Sequence, residues 1–426
     1  MPLFGTAAIA LDLKIETVQF MFETVVSPTT QVVSLSAGFG KAKGIVLIQT
    51  GARDLGPGHP DAYNNGSFCV GFSDGTNNVC AHTQHDSENT PTQICLRAQL
   101  GDHATYRVQS GVVANAISAC DFTTDDQITF TVPVNDEAFS CQMIVIGGAH
   151  VDCKVGSHDD LGTGTGEQGI TVSHATDVFF GLTSHDNIQH NRSGSPNPIS
   201  TDGANLSWGC AINDGSQSQM GISWASASAV TPAQNTIGLY NDSIIASVSD
   251  GAVENNSLAV TGFTGTGVNV QADASMASAI LQYMSLSFSQ SVNMDIVDTT
   301  IPATSGNVSI TSPGFQPGFG FWFNFIGVAA YNTPVDADFS LGQTMFDGTN
   351  TYTSCNKGRD GTDNTDGAAY GSSFNELTLM TDGGTDGEGL LVTSSGDSFT
   401  ANGVDFTMSA WDSSTVPGRM LLIEAN

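Results

Sequence analysis

Basic residues are scarce in this chain. Only 11 Lys and Arg stand among 426 residues, against 42 Asp and Glu, for a formal net charge of −31. A surface that grips a phosphate backbone needs clustered Lys and Arg, so neither DNA nor RNA is expected as a partner. Long apolar runs are missing too. No stretch reaches the roughly 18 residues of a membrane helix, and no membrane partner is expected. Residues 3–11 come nearest, but no Lys or Arg precedes them and Asp12 ends them. That is a poor export signal and reads better as an arm or first strand. The eight Cys follow no repeated spacing, so no disulfide framework is implied. Without an export signal the chain is expected in a reducing compartment, its thiols acting as small buried hydrophobes. Cys69 and Cys80 flank a turn and are the one pair that could bridge. Helix-like periodicity is also rare.

What is present is Ser, Thr, Asn, Asp and Gly between short β-branched runs, the pattern of strands and turns. In FCVGFSDGT, Phe68, Val70 and Phe72 alternate with small or polar residues and lead into Asp74-Gly75, a pair suited to a type I′ hairpin turn. The construction returns with Trp208, Cys210 and Ile212 before Asp214-Gly215, and with Leu341, Gln343 and Met345 before Asp347-Gly348. A Phe-Thr pair recurs at 122, 263 and 399 at a similar interval. Independent landmarks with one period predict three homologous modules. The boundaries are an N-terminal arm at 1–13, then modules at 14–148, 149–288 and 289–426. Each is large enough for its own core. No Pro- or Ser-rich linker separates them, so rigid stacking is expected. The predicted fold class is all-β: three tandem antiparallel β-sandwiches, jelly-roll-like.

Gly314-Phe315-Gln316-Pro317 runs into Phe321-Trp322, Gly38-Phe39 keeps the Gly-Phe without the Pro, and Gly262-Phe263-Thr264 precedes the last strands of the second module. Phe122 and Phe399 lack the preceding Gly. These landmarks resemble the tandem β-sandwich modules of structural proteins in tailed, especially marine, bacteriophages, across nearly the whole chain. The resemblance implies an outer virion component: a capsid decoration or cement protein, a head fibre or a tail appendage.

Sites for chemistry are few. His82 and His85, three apart, could share a metal on a helix, but this segment follows a hairpin and reads as polar loop. Asp360, Asp363 and Asp366 form an oxygen-rich loop where Ca²⁺ is the lesser reading, because their spacing misses the helix-loop-helix calcium pattern. No Gly-Lys-Ser/Thr phosphate loop occurs. Trp208 and Trp322, at strand-period positions, read as core residues over exposed sugar platforms. No catalytic residue, cofactor or metal is assigned, and the expectation is not an enzyme.

The functional expectation is a virion structural protein, assembled in the host cytoplasm, that binds major capsid or other virion proteins by non-covalent symmetric contacts. A homo-oligomer is expected, with a trimer among the options. The hairpin residues Asp74, Gly75, Asp214, Gly215, Asp347 and Gly348 mark the repeat, and Leu3, Phe4, Ile9 and Leu11 are the candidate anchor. The alternative is a tail-tip or tail-fibre adhesin for a host glycan or receptor, with loops 51–66, 184–205 and 355–375 as its recognition surface.

Overall fold

A computed structural model describes residues 11–425 apart from 25–26, 51–66, 87–93, 110–111, 118, 136–137, 159–160, 162–163, 185–198, 201–203, 227–234, 250–252, 277–278, 302–303, 327, 329, 337–338, 359–367, 373–378, 383–387, 393 and 409–415. The protein is all-β: the elements among the described residues are strands, and every pairing between them is antiparallel.

The same strand order occurs in three successive stretches. In the first, the opening strand Lys14–Phe22 lies beside the closing strand Phe139–Gly147, which pairs in turn with Ala42–Thr50. From there the sheet meanders through Ser67–Ser73, Asn78–Asp86 and Ile94–Leu100. The second large sheet runs Val151–His158, Leu281–Phe288, Val178–Thr183, Ala204–Ile212, Gln219–Ser226 and Asn235–Tyr240. The third runs Met294–Ile301, Val416–Ile423, Phe319–Ile326, Phe339–Phe346, Thr351–Gly358 and Ala368–Ser372. A smaller sheet accompanies each, centred on Gln127–Val132, Gly267–Ala272 and Gly403–Met408.

The burial pattern explains the sequence pattern. The strands that follow each early turn are near-continuous apolar runs because both of their faces are covered. Ile45 and Leu47 point to the first small sheet, whereas Val46 and Ile48 point the other way. Trp322 likewise lies under the third small sheet while Phe321 and Phe323 face away from it. Each sandwich therefore has a core of its own. The outward-turned faces of all three large sheets meet in a fourth core that they share. Phe72 meets Phe180 there at 6.1 Å between ring centroids, and Trp208 packs on Phe321 and Phe323 at 5.2 and 5.0 Å. Residues from all three stretches fill that one interior.

Asn78–Asp86 departs from the sequence reading. It is a strand and not a polar loop, with His82, Thr83 and Gln84 almost completely buried. Val79 and Ala81 of this strand face the shared core and Cys80 packs with Tyr106 on the other side, so both faces are covered and the polarity of the residues between them misled the reading.

Candidate functional site

The three Asp-Gly hairpins are the joints of the molecule. They are not two-residue type I′ turns. Strands end at Ser73 and resume at Asn78, leaving a four-residue loop closed by the Asp74 N–H donating to the Asn77 carbonyl at 3.2 Å. The Asp74 carboxylate accepts from the N–H groups of Thr76 and Asn77 at 2.9 and 2.7 Å. Asp347 does the same with Thr349 and Asn350 at 2.9 and 2.8 Å. A side chain that satisfies its own turn removes the need for two positive-φ residues. Only the glycines adopt positive φ at the Asp-Gly pairs: Gly75 at 80°, Gly215 at 86° and Gly348 at 80°. The Phe-Thr landmark touches this one. A Cβ on Gly75 would lie 2.8 Å from the Phe122 ring, and one on Gly348 would lie 3.0 Å from Phe399. The second hairpin is longer, and nothing lies within 4 Å of a Cβ at Gly215.

The remaining carboxylate oxygen of each of two hairpins reaches a neighbouring sandwich. Asp74 Oδ2 accepts from the Val155 N–H at 3.0 Å, on the opening strand of the second stretch. Asp347 Oδ2 accepts from the Thr17 N–H and Oγ1 at 2.8 and 3.0 Å, on the opening strand of the first. Asp214 spends that oxygen on Ser216 and Ser218, yet it stands close enough to Asp295, on the third opening strand, to raise that carboxyl's pKa behind the larger effect of burial. The first hairpin thus meets the second sandwich, the second meets the third, and the third returns to the first.

A second set of bonds follows the same circuit. Ile144, Met284 and Leu421 are matching inward residues of the closing strands, and two positions before each stand Gln142, Gln282 and Arg419. Gln142 Nε2 donates to the Thr353 carbonyl at 2.8 Å, Gln282 Nε2 to Leu100 at 2.5 Å, and Arg419 Nη1 to Gln219 at 2.8 Å. Each closing strand therefore binds the preceding sandwich around the ring. Arg419, nearly buried, also pairs with Asp298 at 2.9 Å, as a buried guanidinium must. Short strands reinforce two of the joints: Ile199–Ser200 extends the first large sheet at Ile94–Leu100, and Val335–Asp336 extends the second at Asn235–Tyr240.

Beside the first hairpin the joint opens into a cleft of about 490 Å³, bordered by Lys41, Lys43, Lys154, Asp74, Asp121 and Phe122. A smaller hollow of about 270 Å³ adjoins it, bordered by Lys14 and again by Lys41 and Lys43. Lys14 Nζ donates to the Gly38 carbonyl at 2.6 Å. Four of the five lysines in the sequence gather here.

The other sequence-derived candidates fall elsewhere. Leu11 is half-buried against the shared core, while Leu3, Phe4 and Ile9 lie outside the described residues. So do Asp360, Asp363 and Asp366 and the whole of loop 51–66; loops 184–205 and 355–375 are described only in part. Trp208 and Trp322 are buried, and Trp322 Nε1 donates to Thr299 Oγ1 at 2.8 Å. His82 is buried on its strand, without the helical geometry a metal pair would use. Cys69 and Cys80 are free, buried thiols, and Cys80 stands opposite Gly71, so the pair is offset across the hairpin. Sequence reading missed the lysine cleft: Lys14, Lys41 and Lys43 lie more than a hundred residues before Lys154, and only the fold brings them together. No protein-family model matches this chain, and no curated protein is similar to it.

Proposed function

We propose that this chain is a bacteriophage virion structural protein, a capsid decoration or head-fibre component that acts as scaffold and not as catalyst. The observation that carries the reading is the ring. Three sandwiches of one strand order share a core and bind one another head to tail through equivalent residues. Such a ring offers a partner three similar faces around one axis, the symmetry of a threefold position on a closed shell. In this reading the three sandwiches are copies of one ancestral block, residues 14–148, 149–288 and 289–426. The acidic excess of −31 keeps decorated particles apart in a salty medium.

The partners are the major capsid protein or other virion proteins, met by non-covalent contacts during assembly in the host cytoplasm. One chain does at such a site what a homotrimer of single sandwiches would do. A homo-oligomer of the whole chain belongs to the same reading. Sedimentation equilibrium of the isolated protein tests it: a mass of 44.2 kDa would remove the homo-oligomer, and a three-chain mass would support a trimer. The deciding experiment is cryo-electron microscopy of purified virions with copy-number determination. Hundreds of copies on the head support decoration; a handful at the tail tip would transfer the protein to the adhesin reading; absence from the particle would overturn both.

A further inference from the structure

We propose that the cleft at the first joint binds an acidic saccharide, a sugar that carries one carboxylate among several hydroxyls. This inference stands apart from the virion reading and rests on the joint alone.

The ring supplies its own control, because the same joint is built three times. In the register of the closing strands, Gly44, Val178 and Phe319 are equivalent: they face Ile146, Leu286 and Ile423, the last inward residue of each. Lys43 is therefore matched by Asp177 and Gly318. On the facing opening strand, Lys154 precedes the N–H bound by Asp74, Glu16 precedes the one bound by Asp347, and Asp295 faces Asp214. One joint thus carries Lys43 and Lys154, one carries Asp177 and Asp295, and one carries Gly318 and Glu16. The fold closes with either charge at these places, so the lysines are not a requirement of the joint.

The cleft also shows which charges are left over. Asp74 is engaged by its own turn and by Val155, Asp121 by the Thr123 N–H at 2.7 Å, and Asp152 by His174 at 3.0 Å and Lys154 at 3.6 Å. Among the described residues, Lys41 and Lys43 have no ion-pair partner although acidic residues outnumber basic ones almost fourfold. Three lysines against three aspartates leave the cleft without net charge, which disfavours a polyanion. Two uncommitted ammonium groups suit one acid group. Carboxylates keep lone pairs beyond the bonds they already accept, and these suit hydroxyl donors. A volume of about 490 Å³ falls within the range of small-ligand sites.

The test is isothermal titration calorimetry on the full chain with galacturonate, galactose, hexa-aspartate and inorganic phosphate. Saturable binding of galacturonate is expected, with galactose at least about tenfold weaker, since a charge-assisted hydrogen bond contributes more than a factor of ten. The double variant Lys41→Gln/Lys43→Gln should lose about tenfold or more in affinity while its melting temperature stays that of the parent. Lys357→Gln, on the strand Thr351–Gly358 of the third stretch, should bind as the parent does. Absence of heat, equal binding of galactose, or unchanged affinity in the double variant would overturn the proposal. Hexa-aspartate or phosphate binding as well as galacturonate would replace it with an acidic-peptide or simple anion site. Virion location is read on particles and sugar binding on the isolated chain, so either reading can fail alone.

Discussion

Gly75 and Gly215 occupy equivalent places with similar φ but different surroundings. At Gly75 an added methyl group meets both the left-handed backbone penalty and the Phe122 ring. At Gly215 it meets the backbone penalty alone. Gly75→Ala is therefore expected to destabilise the protein by about 2–3 kcal/mol and Gly215→Ala by about 1 kcal/mol, read by urea unfolding. Equal losses would show that the Phe-on-Gly contact adds nothing. At this scale the alternation of Phe68, Val70 and Phe72 was legible because period 2 survives any partner. The turn type was not, because it depended on where a carboxylate points and not on which residues tolerate positive φ.

At the scale of elements, the joints between hairpins and opening strands set the response to acid. Glu16 is held above its ordinary pKa by burial, with Asp347 and Asp126 adding to the effect against the Ser36 N–H. Asp295 is raised by burial and by Asp214, while Ile296 N–H and Arg419 pull the other way. A carboxyl whose folded value is raised binds its proton more tightly in the native state. Stability then increases as pH falls from neutral through the folded value toward the ordinary carboxylate value near 4. Asp126 works in the opposite sense: the Gly38 and Gly40 N–H groups hold its carboxyl low, so its contribution is lost in stronger acid. The urea midpoint is expected to be highest in mild acid, and Glu16→Gln should flatten the rise between neutral pH and that maximum. A midpoint that climbs steadily from mild acid to pH 8, or a Glu16→Gln profile parallel to the parent, would contradict this assignment. The strand Asn78–Asp86 shows what the sequence hides at this level. Its buried His82, Thr83 and Gln84 follow from a neighbour lying against them, and no local pattern records a neighbour.

For the whole molecule, the shared core decides how the chain comes apart. Residues from all three stretches, among them Phe72, Trp208 and Phe321, fill one interior. Opening one sandwich exposes the inner faces of the other two. Calorimetry is expected to show a single transition with a calorimetric enthalpy equal to the van't Hoff value. Three resolved transitions would mean that the outer cores carry the stability separately. Strand content and antiparallel pairing could be read from turn signals and β-branched runs, because those depend on near neighbours in the chain. The ring could not, since periodicity says that a face is apolar and not what it will meet.

The two short strands lent across joints, Ile199–Ser200 and Val335–Asp336, tie each later sandwich to the outer edge of the one before it. Because those links lie on one polypeptide, a mutation enters one third of the circle and leaves the others untouched. An assembly of identical subunits would be forced to repeat it three times. Here lysines could gather at a single seam, giving one of three similar joints a character that the other two lack.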